Sequence, residues 1–224
     1  MNISEIHDFI DLITSKERGG FNTPAEKDSA LDRASMSLFE FYRKVYSTSI
    51  EAKEALSAFR RTYAYTTNGT GEISISTGFD FAHLLAMDVM VNDPDTPSGF
   101  DDDRRYDVTF PTEDELARRR NSQTNPPTRT APIADIVNTA WYNLYPQVVH
   151  TGTIYYLKRP AVPVYGYTQV GRVITYNPAT STQLEWQEPW LNSLIFLALR
   201  FLGINLDNEV LNEVMTQFLN EQQP

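Results

Sequence analysis

Residues 48–76 read TSIEAKEALSAFRRTYAYTTNGTGEISIS, and the period of their side chains changes partway along. Up to Phe59 the apolar residues Ala52, Leu56 and Phe59 recur at steps of three and four, which lines one face of a helix. From Thr62 the step becomes two: Tyr63 and Tyr65 alternate with small or polar residues, and so do Ile73 and Ile75. Asn68-Gly69-Thr70-Gly71 separates the alternating runs, so the pattern predicts a β-hairpin of Thr62–Thr67 with Glu72–Ser76. A chain that changes period once here, and changes back near its end, predicts an α+β fold with helices and strands in separate blocks.

Towards the N-terminus the reading is helical. Ile3, Ile6, Ile10 and Ile13 share a face, Asn2 and Glu5 can form a capping box, and Gly19-Gly20 is a stop. Thr23-Pro24-Ala25-Glu26 is a second start, with a capping Thr, Pro at the first helical position and Glu placed to reach back. Leu31, Ala34, Leu38, Phe41, Tyr42 and Val45 form its stripe. Thr48-Ser49-Ile50-Glu51 repeats the box. Closely spaced starts of this kind predict an N-terminal helical bundle over residues 1–60.

Towards the C-terminus the period of two persists through residues 61–187, an antiparallel β-sheet with long loops. Strands are expected at Ala86–Val91, Tyr106–Phe110, Ile133–Thr139, Trp141–Tyr145, Thr151–Leu157 and Arg172–Tyr176. Asn92–Asp103 (NDPDTPSGFDDD) has no period and predicts an exposed, mobile loop, spanning residues 92–103. Thr112-Glu113-Asp114-Glu115 is a fourth box, opening a short helix to Arg120. Residues 121–132 carry Pro126, Pro127 and Pro132 and predict an extended connector. Residues 188–224 return to helix as a C-terminal hairpin: Pro189–Leu202 is apolar nearly all round and needs cover on several sides, Gly203 stops it, and Asn208–Glu221 carries a single stripe. The three parts are expected to fold as one cooperative domain. No internal repeat is visible.

Composition excludes several classes of function. Nineteen Lys and Arg against 29 Asp and Glu give a net charge of −10, which argues against binding nucleic acid over a broad basic surface. With no Cys there is no disulfide, thiolate zinc site or cysteine nucleophile. Residues Met1–Asp8 are polar with no apolar stretch behind them, so no signal peptide is expected, and the run Leu194–Leu199 is far short of the ~18 residues needed to span a bilayer. Asp101-Asp102-Asp103 lacks the alternate spacing of a calcium loop and reads as solvated acid. His7, His83 and His150 show no zinc spacing, and His83 reads as a core or partner-facing histidine. No GxSxG elbow, SxxK or phosphate loop occurs. A glycosidase needs only two carboxylates, but nothing singles out a pair. The expectation is therefore no enzyme: no catalytic residue, no cofactor-binding residue, no metal ligand and no cofactor.

Surface chemistry leaves three features with two readings each. Arg118-Arg119-Arg120 either complements a helix dipole or docks on an acidic neighbour or a phosphate. Trp141, Tyr142, Tyr145, Tyr155, Tyr156, Tyr165, Tyr167 and Tyr176 serve sheet packing, an interface or a sugar platform. Residues 177–224 hold Glu185, Glu188, Asp207, Glu209, Glu213 and Glu221 against Arg200 alone, a net −5, and read as a core helix with a solvated partner or as a subunit contact with an acidic rim.

Thr153-Ile154-Tyr155-Tyr156-Leu157-Lys158-Arg159-Pro160 followed by Pro163-Val164-Tyr165-Gly166-Tyr167 resembles a segment of virion structural proteins from crAss-like and related tailed phages. Ser181–Glu185, the apolar helix after it, the stop Gly203-Ile204-Asn205-Leu206 and the final amphipathic stretch fit the same pattern. So do Pro24-Ala25-Glu26 and Ala131-Pro132-Ile133 upstream. The resemblance implies a bacteriophage head-to-tail connector, an adaptor or ring protein below the portal. It implies a homo-oligomer of about twelve copies, with the portal and other neck or tail proteins as partners, made in the host cytoplasm and ending in the virion, with no membrane. Genomic DNA would pass through its channel without specific binding, and acidic walls would suit that passage because they repel phosphate. A tail-associated receptor or carbohydrate binder is the alternative, and a cell-wall glycosidase a further one.

Overall fold

A reciprocal cap opens the first helix. Asn2 Oδ1 accepts from the Glu5 N–H at 2.9 Å, and Glu5 Oε2 accepts from the Asn2 N–H at 2.9 Å. Helix α1 then runs Ile3–Arg18, with Ile3, Ile6, Ile10 and Ile13 buried as its isoleucine period requires. The computed structural model describes residues 1–18, 22–74, 80–92, 103–138, 141–171 and 173–204. The expected stop at Gly19-Gly20 lies outside the described residues, and so does the expected helix at 208–221. The fold is mixed α+β with antiparallel sheets. It divides into two units, residues 1–58 with 160–224 and residues 59–159.

The first unit is built on helices. Thr23 and Glu26 form the second capping box, and α2 spans Pro24–Lys44. Its buried stripe includes Leu31, Ala34, Leu38 and Tyr42 as expected, but Phe41 is 60 % exposed and Phe39 is buried in its place. The stripe follows the helix drift of 3.6 residues per turn, which carries Phe41 out to solvent. Helix α3, Ile50–Ala55, starts one residue later than expected: Ser49 Oγ accepts from the Ala52 N–H at 3.2 Å. The Thr48 hydroxyl is already engaged, donating to the Val45 carbonyl at 3.2 Å in the turn after α2. Strands β8 (Tyr167–Val170) and β9 (Val173–Tyr176) form a two-stranded antiparallel hairpin whose first strand the sequence pattern missed. Helix α5 spans Glu188–Phe201 and packs on α1 and α2. Trp190 meets Tyr42 edge-on at 5.1 Å, and the Trp186 indole donates to Ser35 Oγ at 2.8 Å.

Among the described residues, α5 is fully covered along one face. Leu191, Leu194, Ile195, Ala198 and Leu199 are buried, a single stripe at helical spacing, whereas Phe196 and Leu197 are half-buried and Phe201 is 45 % exposed. Gly203 ends it at φ +77°, with its N–H on the Arg200 carbonyl and the Ile204 N–H on Leu199, a Schellman closure that a side chain at Gly203 would strain.

The second unit is two packed antiparallel sheets. Strands β1 (Arg60–Thr66), β3 (Phe81–Asn92), β4 (Asp103–Asp107) and β7 (Thr151–Lys158) form one sheet, in the order β1-β7-β3-β4. Strands β2 (Glu72–Ser74), β5 (Ile133–Asn138) and β6 (Trp141–Tyr145) form the other, in the order β2-β6-β5. Tyr65, Met87, Val89, Ile154 and Tyr156 from the first pack against Ile73, Ala134, Tyr142 and Leu144 from the second. Helix α4, Glu113–Arg120, lays Leu116 on Ile133 and Tyr145. Its expected box does not form, since Thr112 offers no side-chain cap; the acids Glu113, Asp114 and Glu115 complement the dipole in the first turn.

The predicted hairpin of Thr62–Thr67 with Glu72–Ser76 is also corrected. β1 pairs with β7 and β2 pairs with β6, so the Asn68–Gly71 turn passes the chain from one sheet to the other. Asn68 Oδ1 accepts from the backbone N–H of Thr70 at 3.1 Å and of Glu72 at 2.9 Å, which closes the turn without any strand partner. Gly71 sits at φ +77° against the Leu144 carbonyl, where a Cβ has no room. β3 begins earlier than expected, at Phe81, and β4 occupies Asp103–Asp107 rather than Tyr106–Phe110. As an edge strand β4 tolerates its charges, while Thr109 leaves it to bridge Ile133. Asn92 and Asp103 pair at the ends of these strands, and the residues of the expected loop between them lie outside the described residues. The connector at 121–132 carries neither helix nor named strand.

Candidate functional site

Asp88 stands in an apolar strand, Ala86–Val91, and its backbone pairs with β4 on one side and β7 on the other. It is only 5 % exposed. Its Oδ1 accepts from the Thr153 N–H at 2.9 Å, and its Oδ2 from Arg105 Nη1 at 3.0 Å and the Tyr155 hydroxyl at 3.2 Å. From the opposite face of the sheet the Tyr65 hydroxyl donates to the Asp88 carbonyl at 2.7 Å. Gly152 makes that reach possible, because it faces Tyr65 across the strand pair with no side chain of its own. Burial, and then the Asp88 charge, push the Tyr65 hydroxyl well above the ordinary tyrosine range. Every lone pair used here ties one strand to another, so the cluster acts as a cross-link.

Asp28 has the same role in the helical unit. It accepts from the Tyr165 N–H at 3.1 and 3.0 Å through its two oxygens, and Oδ1 lies 3.0 Å from His7 Nε2. The His7 ring stacks on Tyr165 at 4.5 Å, so α1, α2 and the segment before β8 meet at one carboxylate. The geometry is that of a half-buried strut.

His150 is buried immediately before β7, with Nε2 2.9 Å from the Pro146 carbonyl and its backbone N–H donating to Thr67 Oγ1 at 2.7 Å. Burial pushes its pKa below the usual histidine value; the Pro146 bond opposes this and the Arg129 charge adds to it. A histidine with a depressed folded pKa contributes stability above its unfolded value of about 6.5, and that contribution is lost as the pH falls through the folded value. We expect the urea midpoint to drop more between about pH 7 and pH 5 in the wild type than in His150→Gln. Parallel pH profiles would refute it.

Surfaces left open among the described residues include three of note. The first is a groove of about 820 Å³ in the second unit, lined largely by Phe81, Leu84, Met87, Phe110, Ile136 and Tyr142, with His83 and Asp107 as polar members. It follows from strand lengths: β4 pairs only with Asp88–Asn92, so the first half of β3 has no β4 neighbour. The second is the β8–β9 hairpin of the first unit, with Val170 79 % and Val173 65 % exposed and Ile174 and Tyr167 also open. The third is the arginine end of α4. Arg118 and Arg120 are exposed, Arg119 is half-buried, and the Arg120 guanidinium lies 4.5 Å over the Tyr145 ring.

The residues marked by the sequence are thus dispersed. Tyr142, Tyr145 and Tyr156 pack in or beside the sheets, while Tyr165, Tyr167 and Tyr176 cluster at the base of the hairpin with ring distances of 6.3 and 5.1 Å. His83 lines the groove and is half-buried. Asp101 and Asp102 lie outside the described residues. Sequence reasoning missed Asp28, Asp88 and Gly152; the signal for Asp88 was a lone acid inside an apolar β run. Among the described residues, no group of three or more His, Asp and Glu converges as a metal site. No described helix is long and apolar enough to cross a membrane. No protein-family model matches the chain, and no curated protein matches it.

Proposed function

We propose that this chain is a structural protein of a tailed-phage virion, a head-to-tail connector that assembles as a ring below the portal and works without making or breaking bonds. One observation carries the reading: among the described residues, a single chain bears two unlike open apolar surfaces, an exposed hairpin at Val170–Val173 and a groove at Phe81–Met87. Closed rings are built from heterologous contacts of this kind, in which one face meets a different face of the next copy. The resemblance at Thr153–Tyr167 supports the same assignment, and the net charge of −10 suits a channel that DNA passes without sticking. The proposal includes a C-terminal helical hairpin, α5 followed by the amphipathic stretch 208–221, beside the N-terminal helices.

The test is assembly. Val170→Asp with Val173→Asp should abolish ring formation on purified portal, scored by particle symmetry in electron micrographs, while the thermal midpoint moves by less than about 0.5 kcal/mol equivalent because both side chains are exposed. Rings of the variant indistinguishable from wild type would reject the hairpin contact. Absence of rings in the wild type would reject the connector reading.

A further inference from the structure

The arginine end of α4 is a cationic surface whose charges are left over. Arg118, Arg119 and Arg120 close the helix, and Arg129 lies beside His150, whose own end of the unit includes Pro146 and Tyr145. None of the four arginines forms an ion pair with a described carboxylate, although Asp114 and Glu115 stand one turn earlier on the same helix. The Arg118 Nε reaches only the Asp114 carbonyl, at 3.4 Å. Arg119 Nε is buried and has no hydrogen-bond partner among the described residues, so any outside acceptor must meet the terminal nitrogens of this half-buried side chain. Arg120 is held over Tyr145, so its guanidinium is already positioned. In a chain of net charge −10, three arginines in one helix turn with no carboxylate partner among the described residues mark a site for an anion.

The same chain holds the complementary charge. After Ile204, where the described residues end, the sequence carries Asp207, Glu209, Glu213 and Glu221 and no Lys or Arg. Glu209 and Glu213 are four apart, beside the apolar residues Val210, Leu211 and Val214. We propose that the arginine end of α4 receives the acidic C-terminal segment, residues 207–221, of a second copy of this chain. The contact is heterologous, an acidic end of one copy on a basic face of the next, and it rests on the reading that the chain works by self-assembly.

Two full-length variants test it: Arg118→Glu with Arg119→Glu, and Glu209→Arg with Glu213→Arg. Arg120 is left on Tyr145 so that α4 keeps its packing. By sedimentation, each variant alone should associate about tenfold or more weakly than wild type, and an equimolar mixture should recover association, because each reversed surface then meets a reversed partner. Wild-type association of either variant, or a mixture no stronger than its parts, overturns the proposal. So does a concentration-independent state, which would place the segment on its own chain. A second measurement needs no ring. A labelled peptide of residues 205–224 should bind the full-length Glu209→Arg/Glu213→Arg chain saturably and with salt sensitivity, and should lose binding when Arg118→Glu and Arg119→Glu are added. If the wild type forms no ring yet the peptide binds, the connector reading fails and this site stands. If rings form and the peptide does not bind, the site fails alone. Preferential binding of single- or double-stranded DNA at these arginines over the peptide would also overturn it.

Discussion

Leu194→Asp will unfold the helical unit. Leu194 has no exposed surface and sits in the centre of the α5 stripe that packs on α1 and α2. Losing its burial costs about 1.5–3 kcal/mol. The carboxylate that replaces it has no described cation in that stripe, and an unpaired buried charge adds several kcal/mol more. Since a domain is held by roughly 5–15 kcal/mol, the sum removes most or all of its stability. Leu194→Ala, which leaves only a cavity, should cost about 2–5 kcal/mol and still fold. Phe196→Asp should be milder than Leu194→Asp, because Phe196 is half-buried. Urea unfolding followed by circular dichroism ranks the three, and a Leu194→Asp midpoint near wild type would show that this helix face is not the core.

Gly152→Ala is the second large effect, in the sheet unit. A Cβ at Gly152 would overlap the Asp88 carbonyl oxygen and lie 2.7 Å from the Tyr65 hydroxyl, and the backbone atom cannot swing away as a side chain could. The strands must part, and the Tyr65–Asp88 hydrogen bond is lost inside the sheet. Overpacking at about 1–3 kcal/mol and an unpaired buried hydroxyl at about 1–3 kcal/mol together give about 2–6 kcal/mol. Tyr65→Phe, which removes the hydroxyl without the clash, should cost only about 1–2 kcal/mol. Thermal or urea melts of both variants decide the matter: equal midpoints for Gly152→Ala and wild type would mean the strands separate at no cost.

Both predictions turn on residues that looked ordinary in one dimension. Leu194 was visible as part of an apolar run, but the run showed apolar residues on every side, and only packing on α1 and α2 chose Leu191, Leu194, Ile195, Ala198 and Leu199 as the buried stripe. Gly152 carried no signal, since a glycine at a strand start reads as punctuation until the tyrosine opposite it is known. The capping boxes at Asn2 and Thr23 were legible because each is made by side chains three residues apart. The box at Thr48 failed by one residue because the preceding turn had taken its hydroxyl. The hairpin over residues 62–76 failed for a larger reason: alternation shows that a segment is a strand and does not say which strand lies beside it.

The open surfaces divide in the same way. Exposed Val170 and Val173 belong to a hairpin whose first strand the pattern did not show, and the groove exists only because β3 outruns β4. The arginines were plain in the sequence, while only the structure shows that no described carboxylate pairs with them. What the amino-acid order determined by itself was everything decided within a turn or two of the chain: helix starts, strand periods, the stop at Gly203 and the charge balance of each segment. What only the tertiary structure decided was pairing at a distance, namely β1 with β7, Asp88 with Arg105 and Asp28 with Tyr165. The reason is physical. Local hydrogen bonds and side-chain periodicity act between neighbours along the chain, whereas which far strand or carboxylate completes a contact depends on how all the apolar faces can be buried together.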